Sequence, residues 1–342
     1  MKFSRAIPKN IPVINSYRAI GILLVCFAHY ICNITGFFSG PVLPYLHNFG
    51  YAAVIVFFTI SGFVIPWWLH NCNYKINDYG RFVARRMLRI EPPFIVALAL
   101  AILYTYVRTA SPYYNGVDTI PSIKRILLHL GYLIPFVENE RWIRDSYWTL
   151  AIECQWYLVM GLVYPLFFNK NQIVRFASFF IVLIPCYFIN NYLFQYFPVL
   201  LMGSLLCSYV TNTIEKREYL IIAIAYFIFI FFRANPLTAI SALVIIPLLL
   251  LFAGYNNPKL NVIGNMSYSI YLMHSLSGTA LINYFSHTVH HPFMKILVVI
   301  AGVVFTLITS YIFYRLVEKP AHKISLKVAV NEFEFKQKQK EK

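Results

Sequence analysis

The chain has 342 residues, of which 59% are hydrophobic and 12% charged, and its mean hydropathy is +0.62. A soluble domain carries about 25% charged residues, so too little charge is present to cover a soluble surface, and the class expected is a polytopic membrane protein. The net charge of +16 does not indicate nucleic acid, because its distribution follows membrane topology.

Apolar runs near the length that a hydrocarbon core of about 30 Å requires recur along the whole chain. They predict an all-α integral membrane protein, a bundle of about ten transmembrane helices. The first span, 15–35, follows a basic N-terminal region. It holds Arg18 and His29 and is read as a retained helix, not a cleaved signal peptide. A Gly/Pro-bearing loop, 36–48, leads to span two, 49–69, which ends at the interfacial pair Trp67-Trp68. Residues 70–91 are expected in the cytoplasm with Arg81, Arg85, Arg86 and Arg89. Span three, 92–108, is placed after Pro92-Pro93, since prolines suit an opening turn better than a helix interior.

Residues 109–147 form the longest external segment and are polar enough to fold over the mouth of a bundle. Span four, 148–168, carries Glu153. Short connections make spans five to eight (173–190, 194–211, 219–232, 236–253) a hairpin series. Span nine, 262–284, contains His274, and span ten, 293–316, leads to Glu318-Lys319-Pro320. Residues 1–323 are read as one transmembrane domain and 324–342 as a charged, disordered cytoplasmic tail. This assignment puts 22 of the 29 Lys and Arg on one side and 7 on the other. By the positive-inside rule both termini are then cytoplasmic, with anionic lipid headgroups as partners for the charge.

Two groups in the first span are expensive in lipid. Arg18 and His29 lie at i and i+11, which places them on one helix face about 16 Å apart along the axis. Intramembrane ionisable residues face an interior or a water-filled cavity and are functional candidates. Arg18, near the start of its span, is read equally well as snorkelling to the interface. His29, near mid-span, is the better candidate, because imidazole titrates near neutral pH and accepts a proton from a hydroxyl. Arg85, Arg86 and Arg89 share a helix face suited to phosphate, although charge alone favours topology and headgroups. Glu153, a carboxylate in an apolar run, needs a partner or a proton. His29 or an arginine is the expected partner. His274, near the middle of its span, is read as a core hydrogen-bonder ahead of a second polar pore group.

The six cysteines are scattered, with no Cys-x-x-Cys pair, and are read as small buried hydrophobes. His287, His290 and His291 lack accompanying Cys or carboxylates, so no metal is expected. A phosphate-binding glycine loop, a Gly-x-Ser-x-Gly elbow and His-Glu-x-x-His are absent from the sequence.

Taken in order, several segments resemble the membrane acyltransferase-3 family. They are Arg18 with His29, Phe57-Phe58-Thr59-Ile60-Ser61-Gly62-Phe63, and Arg86-Met87-Leu88-Arg89 before Pro92-Pro93. Trp148-Thr149-Leu150-Ala151-Ile152-Glu153 and Ile263-Gly264-Asn265-Met266-Ser267-Tyr268-Ser269-Ile270-Tyr271-Leu272-Met273-His274 complete the set. The resemblance covers about 14–320. It implies a bacterial inner-membrane enzyme moving an acyl group, most often acetyl, from cytoplasmic acyl-coenzyme A to a hydroxyl of a cell-surface glycan or lipid-linked sugar. By the resemblance His29 matches the family's essential histidine, Arg18 its paired basic residue and Glu153 its acidic residue. The expected roles are His29 as general base, oriented by Glu153 or another carboxylate, with Arg18 stabilising charge. The resemblance also implies Arg86 and Arg89, with Arg85 beside them, as the site for the donor's phosphates. Glycan-assembly partners or a homo-oligomer are compatible with it. Asn15, Ile55 and Cys154 stand where the family often has acidic residues. Two rivals remain open at this stage, a transporter or flippase for a glycan-related substrate and a scaffold without chemistry. The acceptor is not legible.

Overall fold

The computed structural model describes residues 11–32, 37–110 and 120–330. The Lys2/Arg5/Lys9 end and the last dozen residues expected in the tail lie outside them. Every regular element among the described residues is helical. In chain order they are α1 (Val13–Cys32), α2 (Leu43–Asn71), α3 (Tyr79–Thr109), α4 (Ile123–Leu130), α5 (Trp148–Phe167), α6 (Gln172–Ile181), α7 (Leu183–Phe188) and α8 (Tyr192–Val210). There follow α9 (Lys216–Arg233), α10 (Pro236–Leu251), α11 (Pro258–Asn265), α12 (Ser267–Met273), α13 (Gly278–Ser286), α14 (Pro292–Phe313) and α15 (Lys319–Ser325). A π turn, Tyr314–Glu318, joins the last two.

Local chemistry sets several of these starts. Asn171, Asn191, Asn235 and Asn257 precede α6, α8, α10 and α11. Each side-chain oxygen accepts a first-turn N–H, for example Thr238 N at 2.8 Å and Ile173 N at 2.9 Å. Those N–H groups have no partner inside the helix, which is why a short polar acceptor is favoured there.

Among the described residues, six helical stretches are long and apolar enough to cross a membrane: Val13–Cys32, Leu43–Asn71, Ile76–Thr109, Asp145–Phe167, Leu193–Val210 and Pro292–Ser325. Gln172–Phe188 and Pro236–Leu251 are shorter apolar segments. Two expectations are corrected. The third span does not begin after the prolines: α3 runs unbroken from Tyr79, with Pro92 and Pro93 inside it. The Tyr268 hydroxyl donates to the neighbouring Ile90 carbonyl at 2.9 Å. The arginines therefore sit on the spanning helix itself. The ninth span is not one helix either; α11, α12 and α13 divide it, with irregular turns at 274–277.

Backbone that leaves the helix at membrane depth persists only where protein or a cavity satisfies it. Here Thr306 of α14 does so, accepting from Gly278 N at 3.0 Å and lying 3.0 Å from Ser277 Oγ and 2.5 Å from Tyr30 Oη.

The packing centre is α2, set between α1 and α8. Glycines permit the contact. A Cβ on Gly62 would lie 1.9 Å from the Leu200 carbonyl oxygen, and one on Gly203 would lie 2.2 Å from that of Thr59. Likewise α11 reaches α1 through Gly264, where a Cβ would lie 2.1 Å from Asn15 O. Asn15 itself donates to Asn265 Oδ1 at 3.2 Å. On the outside, Ile296, Ile300, Val304, Ile308 and Ile312 form an exposed apolar row on α14, the surface a lipid solvent favours.

One buried ion pair ties α6 to α9. Arg175 Nε and Nη2 donate to Glu218 Oε1 and Oε2 at 3.0 and 2.9 Å, and Nη1 donates to Asn169 O at 2.8 Å. Residues 324–330, expected in the tail, include the end of α15 and a fully buried Val330. Gly62→Ala meets backbone, not a yielding side chain. It is expected to destabilise the fold by about 1–3 kcal/mol, read as a lowered thermal midpoint of the detergent-purified protein.

Candidate active site

Two cavities meet the long axis of α1 at different depths. The inner one, about 140 Å³, is lined by Arg18, Arg86, Arg89, Glu153, Tyr157 and Tyr268 among other residues. α1, α3, α5 and α12 carry these groups. Arg86 is 8% exposed, and its Cζ lies 4.7 Å from the Trp68 ring centroid and 5.6 Å from those of Phe82 and Tyr157. This aromatic enclosure suits a guanidinium, whose planar charge stacks on ring faces. Tyr157 donates its hydroxyl to Glu153 Oε1, one turn earlier on α5. Arg18 interacts electrostatically with Arg89, Glu153 and Glu318.

Glu318, in the π turn, is buried and accepts from both the backbone N–H and the hydroxyl of Ser269. The sequence reading missed this carboxylate. Its signal was a lone acid at the end of the last apolar run, just before Lys319-Pro320.

The outer cavity is larger, about 610 Å³, and polar. His29 lies on its wall with Ser146, Ser275 and Thr279. His274 is fully buried directly behind His29, and this contact decides the protonation of both rings. His274 Nδ1 lies 2.7 Å from the Tyr271 carbonyl oxygen, which only accepts, so Nδ1 carries the proton. Its Nε2, 3.0 Å from His29 Nδ1, is then an acceptor, and His29 Nδ1–H is the donor. His29 Nε2 is left with its lone pair, the tautomer a general base needs. The turn that breaks the ninth span is therefore what presents His274 to His29.

A thin polar layer separates the cavities. Tyr271 donates its hydroxyl to the Ser146 carbonyl and accepts from Thr149 Oγ1 at 2.5 Å. Tyr271 and Thr149 line the inner cavity, while Ser146 lines the outer one.

The predicted site residues are thus distributed. Arg18, Arg86, Arg89 and Glu153 come together. Arg85 is beside them but does not line the cavity: its Cζ stacks 4.9 Å from the Trp68 ring centroid and Nη1 donates to Val328 O at 3.4 Å. His29 opens to the other cavity. Its ring partner is His274, whereas Glu153 is engaged by Tyr157. The sequence reading favoured a core hydrogen bond for His274 over a second polar pore group and did not pair it with His29, because no spacing rule links a residue 245 positions away.

This architecture defines a multi-pass helical membrane protein with a histidine on the wall of one of two cavities. A family model described as an acyltransferase domain matches residues 11–315. The chain belongs to the acyltransferase-3 family and is a membrane acyltransferase by that membership. It is also similar to an uncharacterized protein of Haemophilus influenzae, 28% identical over 186 residues that cover 45% of this chain and 73% of the other. No solved structure matches it.

The segment that lines the outer cavity at Arg125 and residues 141–146 is pinned by a further histidine. His129 Nδ1–H donates to Arg125 O at 2.7 Å and Nε2 accepts from Ile143 N at 2.9 Å, while Trp142 meets its ring edge-on at 5.4 Å. Burial pushes this imidazole below its ordinary value, with the Arg125 charge adding to the effect and Glu140 opposing it. A base whose folded pKa is depressed contributes stability that is complete above its unfolded value, about 6.5. That contribution is lost as pH falls below it, when a proton on Nε2 faces the Ile143 N–H. Acidification from about pH 7.5 to about pH 5, a range that brackets 6.5, is expected to quench Trp142 fluorescence and increase proteolysis near 139–147. The response is expected to vanish in His129→Gln.

Proposed function

We propose that the protein is an O-acyltransferase of the bacterial inner membrane. In this reading it crosses the bilayer ten times with both termini cytoplasmic. It takes an acyl group, most simply acetyl, from cytoplasmic acyl-coenzyme A and delivers it to a hydroxyl of a cell-surface glycan or lipid-linked sugar. The observation that carries the reading is the His29 Nδ1–His274 Nε2 contact, with His29 on the wall of a polar cavity; it leaves the lone pair of His29 Nε2 for a bound hydroxyl. A hydroxyl bound there loses its proton to Nε2 as its oxygen attacks the thioester carbonyl. The tetrahedral adduct then collapses with release of the coenzyme A sulfur, which takes the proton from Nε2.

Arg86 and Arg89 supply the phosphate-recognising charge at the inner end. Arg18 joins that donor-side group; at about 16 Å along α1 from His29 it is placed for the donor and not for the reacting carbonyl. The inner cavity is narrow enough for the slim thioester arm, with the nucleotide left at the mouth. Tyr271 and Thr149 must part from Ser146 for the acyl group to pass. A transporter is the second reading, favoured by two cavities divided by so thin a layer.

Thiol release from acetyl-coenzyme A by the purified protein, measured with a saccharide acceptor, separates the two. His29→Ala is expected to abolish release at unchanged abundance, and retained activity would sink the assignment. Arg89→Gln is expected to raise KM for the donor about tenfold at similar kcat, the loss of one charge-assisted contact to a phosphate.

A further inference from the structure

The apolar pattern of α4 is turned the wrong way for a helix in water. At about 100° per residue, Ile123, Ile126, Leu127 and Leu130 share one face, while Arg125 and His129 lie away from it. A helix bordering water buries the first set and exposes the second. Here His129 is fully buried, whereas Ile123 is 78% and Leu127 61% exposed. The polar side is engaged inside the protein: Arg125 Nε binds Glu140 at 3.1 Å, and both ring nitrogens of His129 meet backbone partners. Of the apolar face, Ile126 and Leu130 at one edge pack against the core.

The exposed apolar surface extends beyond the helix, to Ile120 before it and to Leu133 and Phe136 after it. Asn191 Nδ2 donates to Pro135 O at 3.1 Å, which seats the second flank against the start of α8. Asn191 follows the exposed Phe188 and Ile189, at the end of the apolar segment Gln172–Phe188. The patch thus joins the apolar exterior of the bundle, and the occupant that continuity favours is lipid. Depth is bounded as well. Lys124, paired with Glu140 at 3.2 Å, and the irregular backbone of 137–144 need water or headgroups, which excludes the hydrocarbon centre. A second copy of the chain fits poorly, because a stable protein interface uses about 20–30 residues a side and this patch offers five exposed apolar side chains.

We propose that α4 with its flanks, 120–136, is an interfacial helix. Its apolar face is set into the lipid layer at the outer-cavity end of the bundle, and its polar face is turned to the protein. Amphipathic helices of this kind sink about 5–10 Å, to the boundary of headgroups and acyl chains. Pro121 and Arg125 line the outer cavity, so one wall of that cavity stands at headgroup level and the bilayer holds it there. The partner is lipid, and the proposal stands or falls independently of acyl transfer.

The test uses the full chain in phosphatidylcholine nanodiscs that each hold a single chain. Leu127→Trp is read as the emission added to that of the parent, which has 5 tryptophans of its own. The added emission is expected to be blue-shifted, and phosphatidylcholine brominated high on the acyl chains, beside the headgroup, is expected to remove most of it. Bromine at the chain ends is expected to remove less, and aqueous acrylamide little. Ile123→Trp repeats the reading should Leu127→Trp fail to fold. Added emission that acrylamide removes and neither brominated lipid touches puts α4 in water and overturns the proposal, leaving the face for a second copy or another protein. Stronger quenching from the chain ends puts α4 in the hydrocarbon core and overturns its interfacial position.

Discussion

The hydrogen bond between His29 and His274 is the contact on which the site depends. It exists only because the ninth span is interrupted, and the interruption survives in lipid only because Thr306 and Tyr30 satisfy the polar groups it exposes. A continuous helix through 262–284 would return every backbone group to itself and remove the turn that seats His274. The local cost of the break is therefore coupled to the tautomer of the base. That coupling links an irregular backbone, a polar contact from α14 and the chemistry at α1.

Close packing supplies the second constraint. α2 cannot approach α8 and α11 cannot approach α1 unless Gly62, Gly203 and Gly264 are bare. These contacts set the depth at which α1 lies and hence where its two polar residues open. Arg18 and His29 share one face, yet the thin layer of Tyr271, Thr149 and Ser146 falls between them. One helix thereby serves two compartments, a basic aromatic one and a polar arginine-rich one. Polar side chains are expensive toward lipid and cheap toward a cavity, so both compartments collect the polar groups that the apolar outer rows exclude.

The same economy explains the π turn at Tyr314–Glu318. A widened turn at the end of α14 brings Glu318 to Ser269 and into the field of Arg18 and Arg89. Such turns occur often where a side chain must be re-aimed at a functional region. Arg18 thereby interacts with two carboxylates, Glu153 in the inner cavity and Glu318 behind Ser269.

Much of this was legible in the amino-acid sequence. Hydropathy established an all-helical membrane chain, helical geometry put Arg18 and His29 on one face, and the motif order marked the family. Asparagine before Pro236 and Pro258 was a helix-start signal that the hydropathy reading did not use, although a side-chain acceptor and a proline solve the same end problem. Periodicity erred where tertiary partners override local preference: Pro92-Pro93 sit inside α3, and the apolar run around His274 is not one helix. The separate cavities, the pairing of His274 with His29, and the engagement of Glu153 by Tyr157 belong to the folded state alone. Local sequence sets which face of a helix is polar, since that follows from 3.6 residues per turn. Which polar faces meet depends on the approach distance and angle of helices hundreds of residues apart in the chain, and only packing decides those.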